Sequence, residues 1–131
     1  MNHVEVGTYG EALVYQLLSE TGGRVGLGDG ADVTFEGIKI EVKTAKPSKY
    51  NGRTLGYQFC LSKPGHTDFR KSDVLVLIPL DEHGKPRAAY VIPTDCLRDR
   101  TKLTMPLSLD TRFSAYREAW ELLADIQGGM V

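Results

Sequence analysis

The chain has 131 residues and a mass of 14.5 kDa, enough for one domain with its own hydrophobic core and too few for two. With 41% hydrophobic and 25% charged residues it is ordinary for a globular protein, which argues against disordered, collagen-like and coiled-coil architectures. The net charge of −1, taken whole, counts against a nucleic-acid binder, yet that average hides a segregation. Residues 1–38 carry six acids and one base, residues 39–71 eight bases and two acids, and the remainder seven bases and nine acids. The local charge thus swings from −5 to +6 near residue 39, so a near-neutral chain can still present a strongly basic surface.

The longest apolar run, residues 74–80, includes a proline and is too short to cross a bilayer. The opening Met1-Asn2-His3-Val4-Glu5 has neither the basic nor the apolar region of a secretory signal, so the expected compartment is the cytoplasm, or a host cell's cytoplasm for a viral source. Cys60 and Cys96 have no CxxC spacing and no nearby His, and read as reduced, buried thiols, not zinc ligands.

Thr8-Tyr9-Gly10-Glu11 has the form of a capping box, and Ala12, Leu13, Gln16 and Leu17 follow at helical spacing, predicting a helix over residues 8–20. The glycine-rich residues 22–30 lack the Gly-Lys-Ser/Thr ending of a phosphate loop and read as a flexible connector. From 31 to 44 the pattern alternates strictly, Ala31, Val33 and Phe35 and then Ile38, Ile40 and Val42, around Glu36-Gly37. That predicts a hairpin with Phe35 facing Ile38, Val33 facing Ile40 and, on the other side, Asp32 facing Glu41 with Lys43 one step along.

Residues 55–61 alternate again, with Tyr57, Phe59 and Leu61 on one side and Gln58 and Cys60 on the other, predicting a third strand. After a polar loop, the β-branched run 74–78 fits a strand buried on both faces, and 88–92 its neighbour. Thr94 is placed to cap a short helix near Cys96 and Leu97, 102–107 reads as an edge strand, and 112–127 as a closing helix with Tyr116, Ala119, Trp120, Leu123 and Ile126 as its stripe. The predicted fold is α+β: one domain, residues 1–131, built on a mixed sheet flanked by helices.

Two carboxylates facing each other across a hairpin repel, and a divalent cation held by Asp32 and Glu41 would compensate. Lys43, on the same face, would contact the phosphate or the attacking water, which is the equipment of metal-assisted phosphodiester hydrolysis. Asp29 is a rival to Asp32, but Asp29-Gly30 is a turn dipeptide beyond the paired region.

Asp32 followed nine residues later by Glu41-Val42-Lys43 resembles the signature of the PD-(D/E)XK nuclease superfamily, which includes small resolvase-like, phage-type and homing-type endonucleases. Gly7-Thr8-Tyr9-Gly10-Glu11 is similar to the helix-borne glutamate that archaeal Holliday-junction resolvases place beside the metal, and the resemblance extends through Thr44 to the buried strand, spanning residues 7–80. Ala31 stands where the pattern has proline. The resemblance implies an αβββαβ-like core, Mg²⁺ (with Mn²⁺ substituting) on Asp32, Glu41 and the Val42 carbonyl, Lys43 acting on the water, and Glu11 beside them. Gln58, polar on an otherwise apolar strand, either reaches the metal water or a phosphate or is a satisfied sheet-edge residue.

Lys46, Lys49, Arg53, Lys63, Arg70 and Lys71, concentrated after the E-x-K, are the expected phosphate contacts. Tyr50 and Tyr57 either stack on bases or pack, while His66 reads as a solvated loop residue. Substrate preference is expected in loops 45–56 and 62–72, and a homodimer through the C-terminal helix would supply two sites. The expected activity is a Mg²⁺-dependent DNA endonuclease, with junctions, flaps and nicks as open substrates. The alternative is a non-catalytic nucleic-acid-binding module of the same fold.

Overall fold

The computed structural model describes residues 2–28, 31–62 and 68–129. Its first helix, α1, spans His3–Ser19, because Asn2 caps it through a hydrogen bond from the Glu5 backbone N–H to Asn2 Oδ1 at 2.9 Å. The predicted start at Thr8 is therefore corrected: Thr8 and Glu11 lie inside the helix, no capping box forms there, and Glu11 is not engaged as a cap. Val6, Val14 and Leu18 form the buried face of α1.

The predicted hairpin is present. Strands β2 (Ala31–Phe35) and β3 (Ile38–Ala45) pair antiparallel with Val33 opposite Ile40 and Phe35 opposite Ile38. Glu36 and Gly37 both sit at positive φ, 49° and 81°, as the tight two-residue hairpin turn requires. The glycine-rich segment is not merely a connector, since Val25–Gly28 forms edge strand β1 against β2. Backbone pairing asks nothing of its side chains, and Arg24 locks it in place: its N–H donates to Glu36 Oε1 at 2.7 Å and its carbonyl accepts from the Glu36 N–H at 2.9 Å.

Strand β6 (Val74–Pro79) runs parallel to β3, and β7 (Tyr90–Pro93) antiparallel to β6, completing a mixed sheet ordered β1-β2-β3-β6-β7. Every residue of β6 is buried, as its continuous apolar run predicts. Its alternate residues serve two cores: Val74, Val76 and Ile78 meet the helices, whereas Leu75 and Leu77 meet a second sheet on the opposite face.

That second sheet, ordered β4-β5-β8, comprises β4 (Ser48–Tyr50), β5 (Arg53–Cys60) and β8 (Lys102–Pro106). The predicted third strand and edge strand thus pair with each other and not with the main sheet. Being apolar on one face only, they are suited to cover a core: Tyr57, Phe59, Leu103 and Met105 pack on Leu75 and Leu77. Residues 48–50, predicted as loop, belong to a hairpin turning at Asn51-Gly52, both at positive φ. Gly56, at φ 140°, lies so close to β8 that a Cβ there would fall 2.4 Å from the Met105 carbonyl oxygen.

The closing helix is shorter than predicted: α2 spans Leu122–Gly129, preceded by a 3-10 turn at Ser114–Tyr116. Tertiary bonding interrupts it. Arg117 bridges to Tyr90, the Glu118 N–H donates to the Ala89 carbonyl at 2.7 Å, and Glu118 Oε1 accepts the Ala89 N–H at 2.8 Å, drawing Glu118 to φ 53°. Thr94 begins a 3-10 helix, Thr94–Leu97, without capping it, and its buried hydroxyl lies 3.3 Å from Ser72 Oγ. Both cysteines are exposed, not buried; Cys60 lies on the solvent side of β5. No helix among the described residues is long and apolar enough to cross a membrane.

Candidate active site

The hairpin register places Asp32 on β2 beside Glu41 and Lys43 on β3. Asp32 is oriented by the backbone, because Val42 N–H donates to its Oδ2 at 2.9 Å. Glu41 is only 8% exposed, and its Oε1 lies 3.5 Å from Lys43 Nζ. From α1, Glu11 comes near enough for its carboxylate to interact electrostatically with Asp32 and Glu41. A helix and two strands therefore converge three carboxylates and one ammonium, the same four residues singled out by the sequence pattern.

The electrostatics reflect this crowding. Burial, then the charge of Asp32, raises Glu41 above the usual carboxylate range, while Lys43 opposes the shift. Glu11 is raised likewise, first by burial and next by Asp32. Neither glutamate is comfortable as an anion, and a divalent cation would relieve both. Among the described residues, no three Asp, Glu, His or Cys side chains close into a cage able to hold an ion unaided. The donors instead suit a hard cation that keeps water and phosphate oxygens among its ligands, as Mg²⁺ does, so the residues present fit such an ion.

The close approach of α1 to β3 depends on Gly10. A Cβ at that position would lie 1.8 Å from Thr44 Oγ1, so only glycine lets the helix carry Glu11 this near the strand. Thr44 Oγ1 is buried without a hydrogen-bond partner among the described residues. The sequence pattern does not show the Gly10–Thr44 contact; a glycine immediately before Glu11 is the signal that could have indicated it.

Beside the carboxylates opens a cleft of about 550 Å³ whose lining includes Lys43, Thr44, Lys46, Gln58 and Cys60. Gln58 is exposed there, on the same cleft as Lys43. Lys46, Lys49, Arg53 and Lys71 are exposed. Arg70 instead ties the fold together, its guanidinium donating to the Arg98 and Arg100 carbonyls at 2.6 and 3.2 Å and to Asp68 at 3.2 Å. Tyr57 packs in the core, its hydroxyl donating to the Leu80 carbonyl at 2.7 Å. Lys63, His66, Asp29 and the Tyr50 side chain lie outside the described residues.

No protein-family model matches the sequence, and no curated protein matches it. The solved structure of a bacterial homing endonuclease, I-Ssp6803I, is similar to this chain with a TM-score of 0.73 and 20% sequence identity, covering 98% of this chain and 96% of that one. The α+β architecture described above is thus an endonuclease-like fold.

Proposed function

We propose that the protein is a divalent-cation-dependent DNA endonuclease of the PD-(D/E)XK type. The observation that carries this reading is the convergence of Glu11, Asp32, Glu41 and Lys43 on α1, β2 and β3 at the edge of an open cleft. The likeness to a protein described as a homing endonuclease supports it. Asp32, Glu41 and the Val42 carbonyl would hold Mg²⁺, with Mn²⁺ substituting. When bound, the cation supplies electrophilic polarisation of the phosphodiester and acidification of the attacking water.

The chain's own groups do the rest. Glu41 holds the Lys43 ammonium toward the cleft, where it orients the water and offsets the negative charge that builds on the phosphoryl oxygens. Lys46, Lys49, Arg53 and Lys71, all exposed, draw in the backbone. One such site cuts one strand, so duplex cleavage calls for a homodimer, with α2 as the proposed contact; light scattering of the purified chain measures its mass. Cleavage assays on linear, nicked, flap and four-way-junction DNA in Mg²⁺, Mn²⁺ or EDTA test the activity. Activity in EDTA, or full activity in Lys43→Ala, would sink the metal-nuclease reading. If wild type and Glu41→Gln bind DNA equally and neither cuts any substrate, the protein is a binding module.

A further inference from the structure

The exposed face of the β5–β8 strand pair takes no part in the cleavage step proposed above. Across β5 and β8, Gln58 pairs with Thr104 and Cys60 with Lys102, and all four are exposed while the opposite face is buried in the core. Gln58 and Cys60 also line the cleft that holds Lys43, so this face begins where the candidate active site ends. Residues 45–61 and 101–107, which build the sheet, contain Lys46, Lys49, Arg53 and Lys102 and no Asp or Glu.

A basic antiparallel ribbon of this kind complements duplex DNA. Its strands lie about 4.8 Å apart, and the B-form major groove, about 12 Å wide, admits a two-stranded ribbon. The side chains on the face have the chemistry of base edges: the Gln58 amide offers the donor and acceptor that adenine matches, the Lys102 ammonium donates to guanine, and Thr104 supplies a hydroxyl and a methyl. We propose that the β5–β8 face enters the major groove beside the scissile phosphate and reads sequence, with Gln58, Lys102 and Thr104 as its specificity-determining residues. This rests on the endonuclease reading and adds to it the surface that chooses the site. It moves sequence preference from surface loops to a rigid strand pair, where side chains are held in fixed register.

Selection from a randomised duplex pool, with Ca²⁺ replacing Mg²⁺ and the bound fraction sequenced, tests the proposal. Wild type is expected to enrich a defined base preference. Gln58→Ala, Lys102→Gln and Thr104→Val should each flatten it at one or two adjacent base pairs, lowering the ratio of selected to scrambled affinity roughly 5- to 100-fold. Variants that weaken binding equally on all sequences would overturn the proposal, because that is the behaviour of phosphate contacts. So would equal affinity for duplex RNA, whose deep, narrow major groove excludes a ribbon. Wild type that binds and cuts duplex DNA with no preference overturns this inference and leaves the endonuclease reading standing. Wild type that neither binds nor cuts overturns both.

Discussion

Asp32 accepts a hydrogen bond from the backbone N–H of Val42 at 2.9 Å. The strand segment that carries Glu41 and Lys43 on either side of Val42 thereby fixes its own acidic partner. Side-chain rotation of Asp32 is restrained by a main-chain donor that no substitution other than proline removes, so the carboxylate is set in place before any ligand arrives.

Lys43 is expected to act in the reaction more than in binding. Lys43→Ala should lower cleavage at least about 100-fold while DNA affinity in a filter-binding assay falls less than about threefold. EDTA should abolish cleavage by wild type, and added Mg²⁺ or Mn²⁺ should restore it. A loss confined to affinity would reassign Lys43 to phosphate contact.

The raised glutamates give the metal-free protein a distinctive pH response. A carboxyl group whose pKa is higher folded than unfolded binds its proton more tightly in the native state. Its stabilising contribution is complete below the unfolded value of 4.5 and is lost as the pH rises through the raised folded value. In EDTA near neutral pH, Glu41→Gln should therefore melt roughly 2 to 5 °C above wild type, and the gap should close on acidification. Mg²⁺ should raise the wild-type Tm more than that of the variant. Thermal melts across pH decide this; a variant less stable than wild type in EDTA would show that the Glu41–Lys43 pair outweighs burial.

Gly10→Ala should destabilise the fold by about 1 to 3 kcal/mol, because the new methyl group meets Thr44 Oγ1 within 1.8 Å. Adding Thr44→Ala removes that oxygen and should recover most of the loss in urea unfolding. Where the single variant still folds, displacement of α1 carries Glu11 away from Asp32, and cleavage should drop more than stability does. Equal cleavage by variant and wild type would show that Glu11 need not sit so close.

Tyr57→Phe removes the buried hydrogen bond to the Leu80 carbonyl and leaves that oxygen without this donor. The expected cost is about 1 to 2 kcal/mol in urea unfolding, with cleavage unchanged at temperatures where the variant is folded. A selective loss of DNA binding would place Tyr57 at the nucleic acid after all.

The sequence by itself determined the hairpin, its register and therefore the pairing of Asp32 with Glu41 and Lys43. Alternation and a two-residue turn are local, and a one-residue slip would expose Val33, Ile38 and Ile40. It also determined the buried centre of the sheet, since residues 74–78 have no polar face to offer water. Glu11 was legible through its motif, but the distance that makes it useful was not, because that distance depends on Gly10 meeting Thr44 across 34 positions of chain. Only the tertiary structure decided that residues 48–60 and 102–106 form a separate sheet, that Glu118 leaves the helix to bond Ala89, and that Arg70 spends its donors on the carbonyls of Arg98 and Arg100. Each of these outcomes turns on hydrogen-bond partners remote in sequence, and periodicity reports which face a residue shows without naming what lies opposite it. The sign change in charge near residue 39 thus marked where the acidic site gives way to a basic surface, and folding supplied the open strand face on which part of that surface is displayed.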